Sequence, residues 1–581
     1  MKSKRRGLGR WTASAVVVSV GWLLGGCGDD GPGAMSATET ETGIDSIGTG
    51  TMSADGTATE SESMGQAAVL YLLVEPPEAI LELDIGASAS LPYTVTAVYA
   101  DGSTSDVTAQ ASWSVSAPEL GAMNGSTFES AVFPDSTFAS TILTATVGGD
   151  EGQAQVTVAA YRLDSDFFFV LPWEDEAGEQ AKPLTFSTDV KSMDVFVNMD
   201  TTASMDGAIA NLQNAMVTNI IPAIQDLVPD TQFGVGGFED FPVMPHGIAA
   251  TDQPFELFQP ITDDSDAVDE ALLSLEVGDG NDPPEANFEA LYQIATGEGL
   301  SGPGATMVAE NHDGIGGVGF REGSLPVIVS ITNAVSHDTV DSTCDRLYSP
   351  EVAAVAHSRE QTVAALDAIC ARVVQIALSG GSCSAMSDGR VLAEATGAVI
   401  PPEAWDIGGR PDNCADGECC TGPNSLGVAP NTDGMCPMSY QAQFNGVGVG
   451  SSFSSAIQLV AAYGQFGVTS LVTGVDADID GQPLPPGTST ADFIKAVTPL
   501  DHGPVPLPGA PEPSLGPTAF ENVIPNTDVI FEIRAFNDFV EQGDQPRVFE
   551  ANIEVLADDC GELDQRAVYI LVPPMTLAPP A

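Results

Sequence analysis

The chain has 581 residues, with 81 acidic side chains against 18 basic ones and a net charge of −63. So strong a negative charge opposes nucleic acid and anionic surfaces as partners and suits weakly held divalent cations. At this length several domains are expected. With five histidines and neither H-E-x-x-H nor G-x-S-x-G, no hydrolytic motif is present and an enzyme is not expected.

Residues 1–26 read as a targeting leader, in which Lys2, Lys4, Arg5 and Arg6 precede the apolar run Ala13 to Leu24. The run is too short to span a bilayer comfortably. Leu24-Gly25-Gly26-Cys27 resembles the lipobox of bacterial lipoproteins. The resemblance implies cleavage before Cys27, its acylation, and attachment to a membrane through that lipid. Gly28 stands where an inner-membrane retention signal would have Asp, so an outer-membrane lipoprotein exposed at the cell surface is expected. Residues 27–66 are rich in Ser, Thr, Gly and acidic residues, bury too little to fold, and read as a disordered stalk.

From 67 to 161 apolar residues alternate between turn signals: Leu70 and Leu72, then Tyr93, Val95 and Ala97, then Trp113 and Val115, with a hairpin turn at Asp101-Gly102. The stretch Val98 to Thr108, followed by Trp113 and by Leu143 to Gly149, resembles bacterial Ig-like domains of the second type. That implies a β-sandwich acting as a spacer.

Residues 162–474 alternate strands and helices, the pattern of a doubly wound α/β sheet. Met193 to Met199 reads as a strand buried on both faces. A helix should follow, with its apolar stripe at Ile209, Leu212, Met216, Ile220, Ile224 and Leu227. Between them, Asp200-Thr201-Thr202-Ala203-Ser204 places three hard oxygen ligands at the carboxyl end of a strand, where open α/β sheets hold ligands. The pentapeptide resembles the metal-ion-dependent adhesion site of von Willebrand factor A domains, D-x-[ST]-x-S. Asp282-Pro283-Pro284-Glu285 resembles the D-x-P-E segment of the A-like domain in integrin β subunits. There the Glu joins the adhesion-site metal and the Asp serves a neighbouring cation. The strand Leu325 to Thr332 ends in Asn333-Ala334, where A domains have T-D-A. Asn333 removes one charge from the site and implies support of a coordinated water. The implied metal set is Asp200, Thr202, Ser204, Glu285 and Asn333, holding Mg²⁺ (or Mn²⁺ or Ca²⁺), with Asp282 at a second metal. His337, Glu239 and Asp240 should approach the same face.

A Cys-rich insertion, residues 406–443, carries Cys414, Cys419, Cys420 and Cys436; Cys344, Cys370, Cys383 and Cys560 complete an even set of eight beyond Cys27. Export favours disulfides, whose pairing stays open, over a zinc site, whose C-x₂-C spacing is missing. Asp476-x-Asp478-x-Asp480-Gly481 opens like a calcium loop, but Gly487 stands where the loop needs Glu, so an acidic turn is expected. Residues 475–581 show period-two strands and read as a C-terminal β-sandwich, resembling the end of large lipid-anchored A-domain proteins of myxobacteria.

The expectation is therefore a multidomain chain: an Ig-like β-sandwich, a doubly wound A-like α/β domain, and a second β-sandwich. Its expected function is binding a carboxylate of a protein ligand through a divalent cation. The alternative is an envelope scaffold with a degenerate site, which Asn333 favours.

Overall fold

Ser192–Asp200 forms a nine-residue strand, β1, all of it buried beyond its first residue. Its alternate side chains enter two different cores. Val195 and Val197 join a cluster with Leu212, Met216, Phe453 and Ile457, while Phe196 joins Phe288, Leu291, Leu366 and Leu392. A strand with helices on both faces has no polar side to show, which is why Val195, Phe196 and Val197 stand together in it, and its buried Asp194 and Asn198 are held by Arg321 and Asn287. The computed structural model describes residues 17–18 and 68–577, apart from 164, 250 and 310–312. Cys27, the stalk 27–66 and the leader other than Val17–Val18 lie outside the described residues.

The chain continues through α1 (Asp206–Ala215), β2 (Asp230–Phe238), β3 (Glu256–Thr262), α2 (Ser265–Leu273), α3 (Asn287–Thr296) and β4 (Leu325–Thr332). It then forms α4 (Arg359–Ala368), β5 (Arg372–Ala377), α5 (Ala385–Ala395), β6 (Ser439–Gln441) and α6 (Val449–Tyr463). The sheet order is β3-β2-β1-β4-β5-β6, parallel except for β3. After β1 the chain adds β2 on one side and later β4 on the other. The carboxyl end of β1 is thus a topological switch point, where loops part and leave a crevice.

The helix after β1 is not uniform. A 3₁₀ turn at Ala203–Met205 leads into α1, a π turn spans Met216–Ile220, and a short helix closes at Gln225. Leu212, Met216, Ile220 and Ile224 are each four residues apart and all buried. In an ideal α-helix each such step drifts by about 40° around the axis, and the wider π turn returns the stripe to the core. Leu227, expected in that stripe, lies past the helix end and is 45% exposed.

Two β-sheets share the compact unit Phe167–Val540 with Phe549–Ile570. One contains Phe167–Val170, Gly561–Val572, Arg547–Ala557, Phe466–Gly474, Phe520–Val523 and Ser514–Leu515; the other contains Gln180–Phe186, Val529–Ala535 and Ile494–His502. Phe167–Val170, Gln180–Phe186 and Phe466–Gly474, expected within the A-like region, therefore pair with C-terminal strands. The α/β layer is an insertion between strands of this β part. Cys370–Cys560 and the ion pair of Arg372 with Asp558 join the two. The remaining disulfides are Cys344–Cys383, Cys414–Cys420 and Cys419–Cys436, so these cysteines offer no thiolate for zinc. Asp478 sits in an acidic turn, with Gly481 N–H donating to its carbonyl and Gly481 at φ 78°.

The other unit holds the described residues up to Asp166, with Glu541–Val548 and the residues from Leu571. It is all-β. Glu78–Asp84, Asp150–Tyr161, Thr137–Val147 and Ser112–Val115 form one sheet, and two three-stranded sheets surround Leu81, Val95, Phe128, Leu143 and Val156. Among the described residues no helix is long and apolar enough to cross a membrane.

Candidate metal centre

Asp200 is the last residue of β1 and is completely buried. Its Oδ1 accepts from the Thr202 amide (2.9 Å) and hydroxyl (2.7 Å), and its Oδ2 accepts from the Thr332 hydroxyl at the end of β4 (2.6 Å). The Thr202 and Ser204 hydroxyl oxygens stand 3.5 Å apart. Asn333, one residue past β4, donates from Nδ2 to Ser204 Oγ at 2.7 Å. A hydroxyl that donates to Asp200 keeps its lone pairs for another partner, so Thr202 stays able to coordinate.

Glu285 comes from the loop before α3. Its amide donates to Val335 O (3.0 Å), and its carbonyl accepts from the His337 amide (2.8 Å), which docks this loop on the exit of β4. Gly280 in the same loop has φ 70°, and a Cβ there would lie 3.1 Å from Thr202 Cγ2 and 3.6 Å from Glu285 Oε1. The loop thus closes over Thr202 with Glu285 beside it. Glu285 is 6% exposed, and its Oε2 is buried with no hydrogen-bond partner.

A second set of groups lies on the loops after β2, before α3 and after β4. Ligand atoms of Asp240, His246, Asp282 and His337 all fall within 4.8 Å of one another. His337 Nε2 is 3.1 Å from Asp240 Oδ2 and 3.5 Å from Asp282 Oδ2. His246 Nδ1 is 3.2 Å from Asp282 Oδ2. Tyr348 stacks on the His337 ring at 4.1 Å and donates its hydroxyl to Asp240 Oδ1 at 3.1 Å. Glu239, also expected near this face, has both oxygens engaged, Oε1 by the Thr201 hydroxyl and Oε2 by the Gln253 amide. It is not a free donor.

Burial bears on the ionisation of Glu285, Asp200, Asp240, Asp282 and His337. Glu285 is pushed up to about 12, by burial first and then by Asp200, Asp240, Asp282 and Asp252. Burial also raises Asp200, against the opposing bonds from Thr332 and Thr202, and raises Asp240 against His337. Burial works to raise Asp282 too, but the adjacent imidazoles of His246 and His337 outweigh it and hold the group low. His337 reaches about 9, because Asp240 and Asp282 outweigh a burial that would lower it. Among the described residues no Lys or Arg pairs with Asp200, Asp240, Asp282 or Glu285; Arg346, the nearby guanidinium, is committed to Asp388 and Asp341. Asp240 and Asp282 have the imidazoles beside them, but Asp200 and Glu285 have no basic partner, and buried carboxylates of that kind must take up protons or a cation. Two hydroxyls and two carboxylates, one carrying an orphaned oxygen, make a donor set that fits a hard divalent ion.

No family model matches the chain, and no curated protein does. Among solved structures it is similar to a von Willebrand factor type A protein from Catenulispora acidiphila. The identity is 12% over 69% of this chain and 71% of that one, with a TM-score of 0.28. It is also similar to the pilus adhesin SpaC from Lactobacillus rhamnosus GG in its open conformation. There the identity is 11% over 67% of this chain and 45% of that one, with a TM-score of 0.26. Likenesses of this size carry no weight for function, which has to come from the site's own atoms.

The structure brings Asp200, Thr202, Ser204, Asn333 and Glu285 to one end of the sheet, with Asp282 directed to the two histidines instead. Asn333 meets Ser204 with its amide nitrogen, where an oxygen toward a coordinated water was expected. His246 had no sequence signal; it lies in a loop of no recognisable spacing, six residues past Asp240.

Proposed function

We propose that this is an adhesion-type protein whose α/β part, read as an A-like domain, binds a carboxylate of a protein ligand through a divalent cation. Asp200, Thr202, Ser204 and Glu285 would hold the ion, Mg²⁺ in the first instance. When bound, the ion supplies a Lewis-acidic position for an incoming carboxylate. Asp200 fixes the hydroxyl of Thr202, Thr332 fixes Asp200, and Gly280 lets the Glu285 loop approach closely. The lipid anchor at Cys27, the stalk and the Ig-like reading of residues 67–161 belong to the same proposal. Together they would hold the binding domain off an outer-membrane surface, with no enzymatic activity.

The observation that carries the reading is Glu285 Oε2, a buried carboxylate oxygen with no partner, in a site where no Lys or Arg among the described residues neutralises it. A group of this kind is costly unless a cation completes it. The test is calorimetric titration of the full chain with Mg²⁺, Mn²⁺ and Ca²⁺ beside the Asp200→Ala variant. Saturable binding that the variant loses supports the reading; identical titrations of both proteins would sink it.

One observation favours the rival reading of a scaffold with a degenerate site. Asn333 Nδ2 occupies Ser204 Oγ with a donor, at a lone pair that a cation would use. A half-turn of the amide would present its oxygen, so the titration separates the two readings.

A further inference from the structure

The histidine-bearing group differs chemically from the Asp200 set. His337 Nδ1 donates to the carbonyl of Arg346 at 2.8 Å, so Nε2, which faces Asp240 and Asp282, is the nitrogen that would exchange its proton for a metal. Nε2, Asp240 Oδ2 and Asp282 Oδ1 are all buried, and none has an aligned hydrogen-bond partner. The short distances from Nε2 to the two carboxylates are therefore proximities without hydrogen-bond alignment. They measure 3.1 and 3.5 Å, either side of the roughly 3.3 Å edge of a tetrahedron with bonds of about 2.0 Å.

His246 stands differently. Its Nε2 accepts the Ser349 amide at 3.1 Å, so its proton sits on Nδ1, which donates to Asp282 Oδ2 at 3.2 Å. Both ring nitrogens are used, and neither lone pair is left for a metal. The ring packs edge-on to His337, with centroids 4.7 Å apart, and to Tyr348 at 5.1 Å.

We propose that Asp240, Asp282 and His337 form a second cation site that takes a first-row transition metal, Zn²⁺ in the first instance, with His246 as the positioning residue for Asp282. An imidazole with two carboxylates selects borderline ions over Mg²⁺ and Ca²⁺, which prefer oxygen alone. Three protein ligands leave a fourth position for water or a ligand. An imidazole anchored through a backbone carbonyl and a carboxylate anchored through a second imidazole are the outer-shell supports such sites use. The inference is independent of Mg²⁺ binding at Asp200, since it rests on different residues and a different ion.

The test uses the full chain stripped by a chelator and titrated with Co²⁺, followed by its visible d–d absorption, and then with Zn²⁺ in competition. One equivalent of Co²⁺ should give bands that Zn²⁺ removes and excess Mg²⁺ does not. The bands should persist in Thr202→Ala and be lost in His337→Gln and Asp240→Asn. His246→Ala should weaken Zn²⁺ binding by about 10–100-fold, and His246→Asn, whose amide can still donate to Asp282, should recover most of it. Bands unchanged in His337→Gln, or displaced by Mg²⁺, would overturn the proposal. Should His337→Gln fail to fold, X-ray absorption of the Zn²⁺-loaded wild-type chain decides. An imidazole nitrogen at about 2.0–2.1 Å supports the site, and a shell of oxygen alone refutes it.

Discussion

Replacing Glu285 by Gln should stabilise the metal-free protein, the opposite of what a change at a buried polar position usually does. Glu285 is pushed from 4.5 up to about 12 in the folded chain. Between these values the folded state holds a proton that the unfolded state has released. Stability therefore falls as pH rises through that window, by about 1.4 kcal/mol per unit from this one group. At about pH 8 the accumulated penalty is on the order of 5 kcal/mol, and local relaxation leaves about half of it. Gln keeps the shape, removes the ionisation and offers an amide N–H₂ to the surrounding carboxylates. The assay is scanning calorimetry of both full-length proteins in chelator and in millimolar Mg²⁺. In chelator the variant should unfold several degrees above wild type, and the gap should widen from about pH 6 to about pH 8. With Mg²⁺, wild type should rise by mass action while the variant stays flat. A variant less stable than wild type in chelator, with an equal response to Mg²⁺, would refute both the buried-charge argument and the role of Glu285 in the cation site.

Three further outcomes follow from the same structure. Because Glu285 must lose its proton to coordinate, Mg²⁺ affinity should rise with pH, by at most about tenfold per unit; titrations at about pH 6 and about pH 8 that agree would exclude it as a ligand. Cys370 and Cys560 close a loop of 190 residues between the α/β layer and the C-terminal sheet. Their double replacement by Ser should cost about 2–5 kcal/mol, the chain-entropy value near 5 being an upper limit because other disulfides already shorten the loop. Denaturant unfolding reads that loss, and cation binding should survive it. Ser358 caps α4 in a reciprocal arrangement with Gln361, so Ser358→Ala should cost about 1 kcal/mol with no change in metal affinity.

The parts of the fold that were legible are those whose signal is local. Val195-Phe196-Val197 marked β1 as a strand buried on two faces, and Ser358-x-x-Gln361 has the residue spacing of a capping box at the start of α4, because in each case one short segment carries the whole physical cause. The placement of Phe466–Gly474 was not legible. Its alternation says strand, yet its partners at Ala551–Ala557 and Phe520–Val523 lie far along the chain on either side of it in the sheet, so nothing in the segment itself names them. The four disulfides are of the same kind: Cys344 meets Cys383 across 39 residues, and Cys370 meets Cys560 across 190, so no spacing could single them out from the alternatives.

The two candidate cation sites divide along the same line. Asp200, Thr202 and Ser204 sit within five residues on one strand-to-helix turn, so their spacing alone brings the oxygens together. Asp240, His246, Asp282 and His337 arrive on three loops, after β2, before α3 and after β4. Only the order β2-β1-β4 in the sheet brings the carboxyl ends of these elements to one place. What places His337 against Asp240 is that order together with the docking of the Glu285 loop, whose carbonyl accepts the His337 amide. The two sites are thereby joined through one loop, which carries both Asp282 and Glu285 and is held to the exit of β4 by the bonds of Glu285 N–H to Val335 O and His337 N–H to Glu285 O. A cation drawn to Glu285 pulls on the loop that also carries Asp282, so occupancy of one site should alter the affinity of the other. By linkage, the factor by which Mg²⁺ changes Zn²⁺ affinity must equal the factor by which Zn²⁺ changes Mg²⁺ affinity.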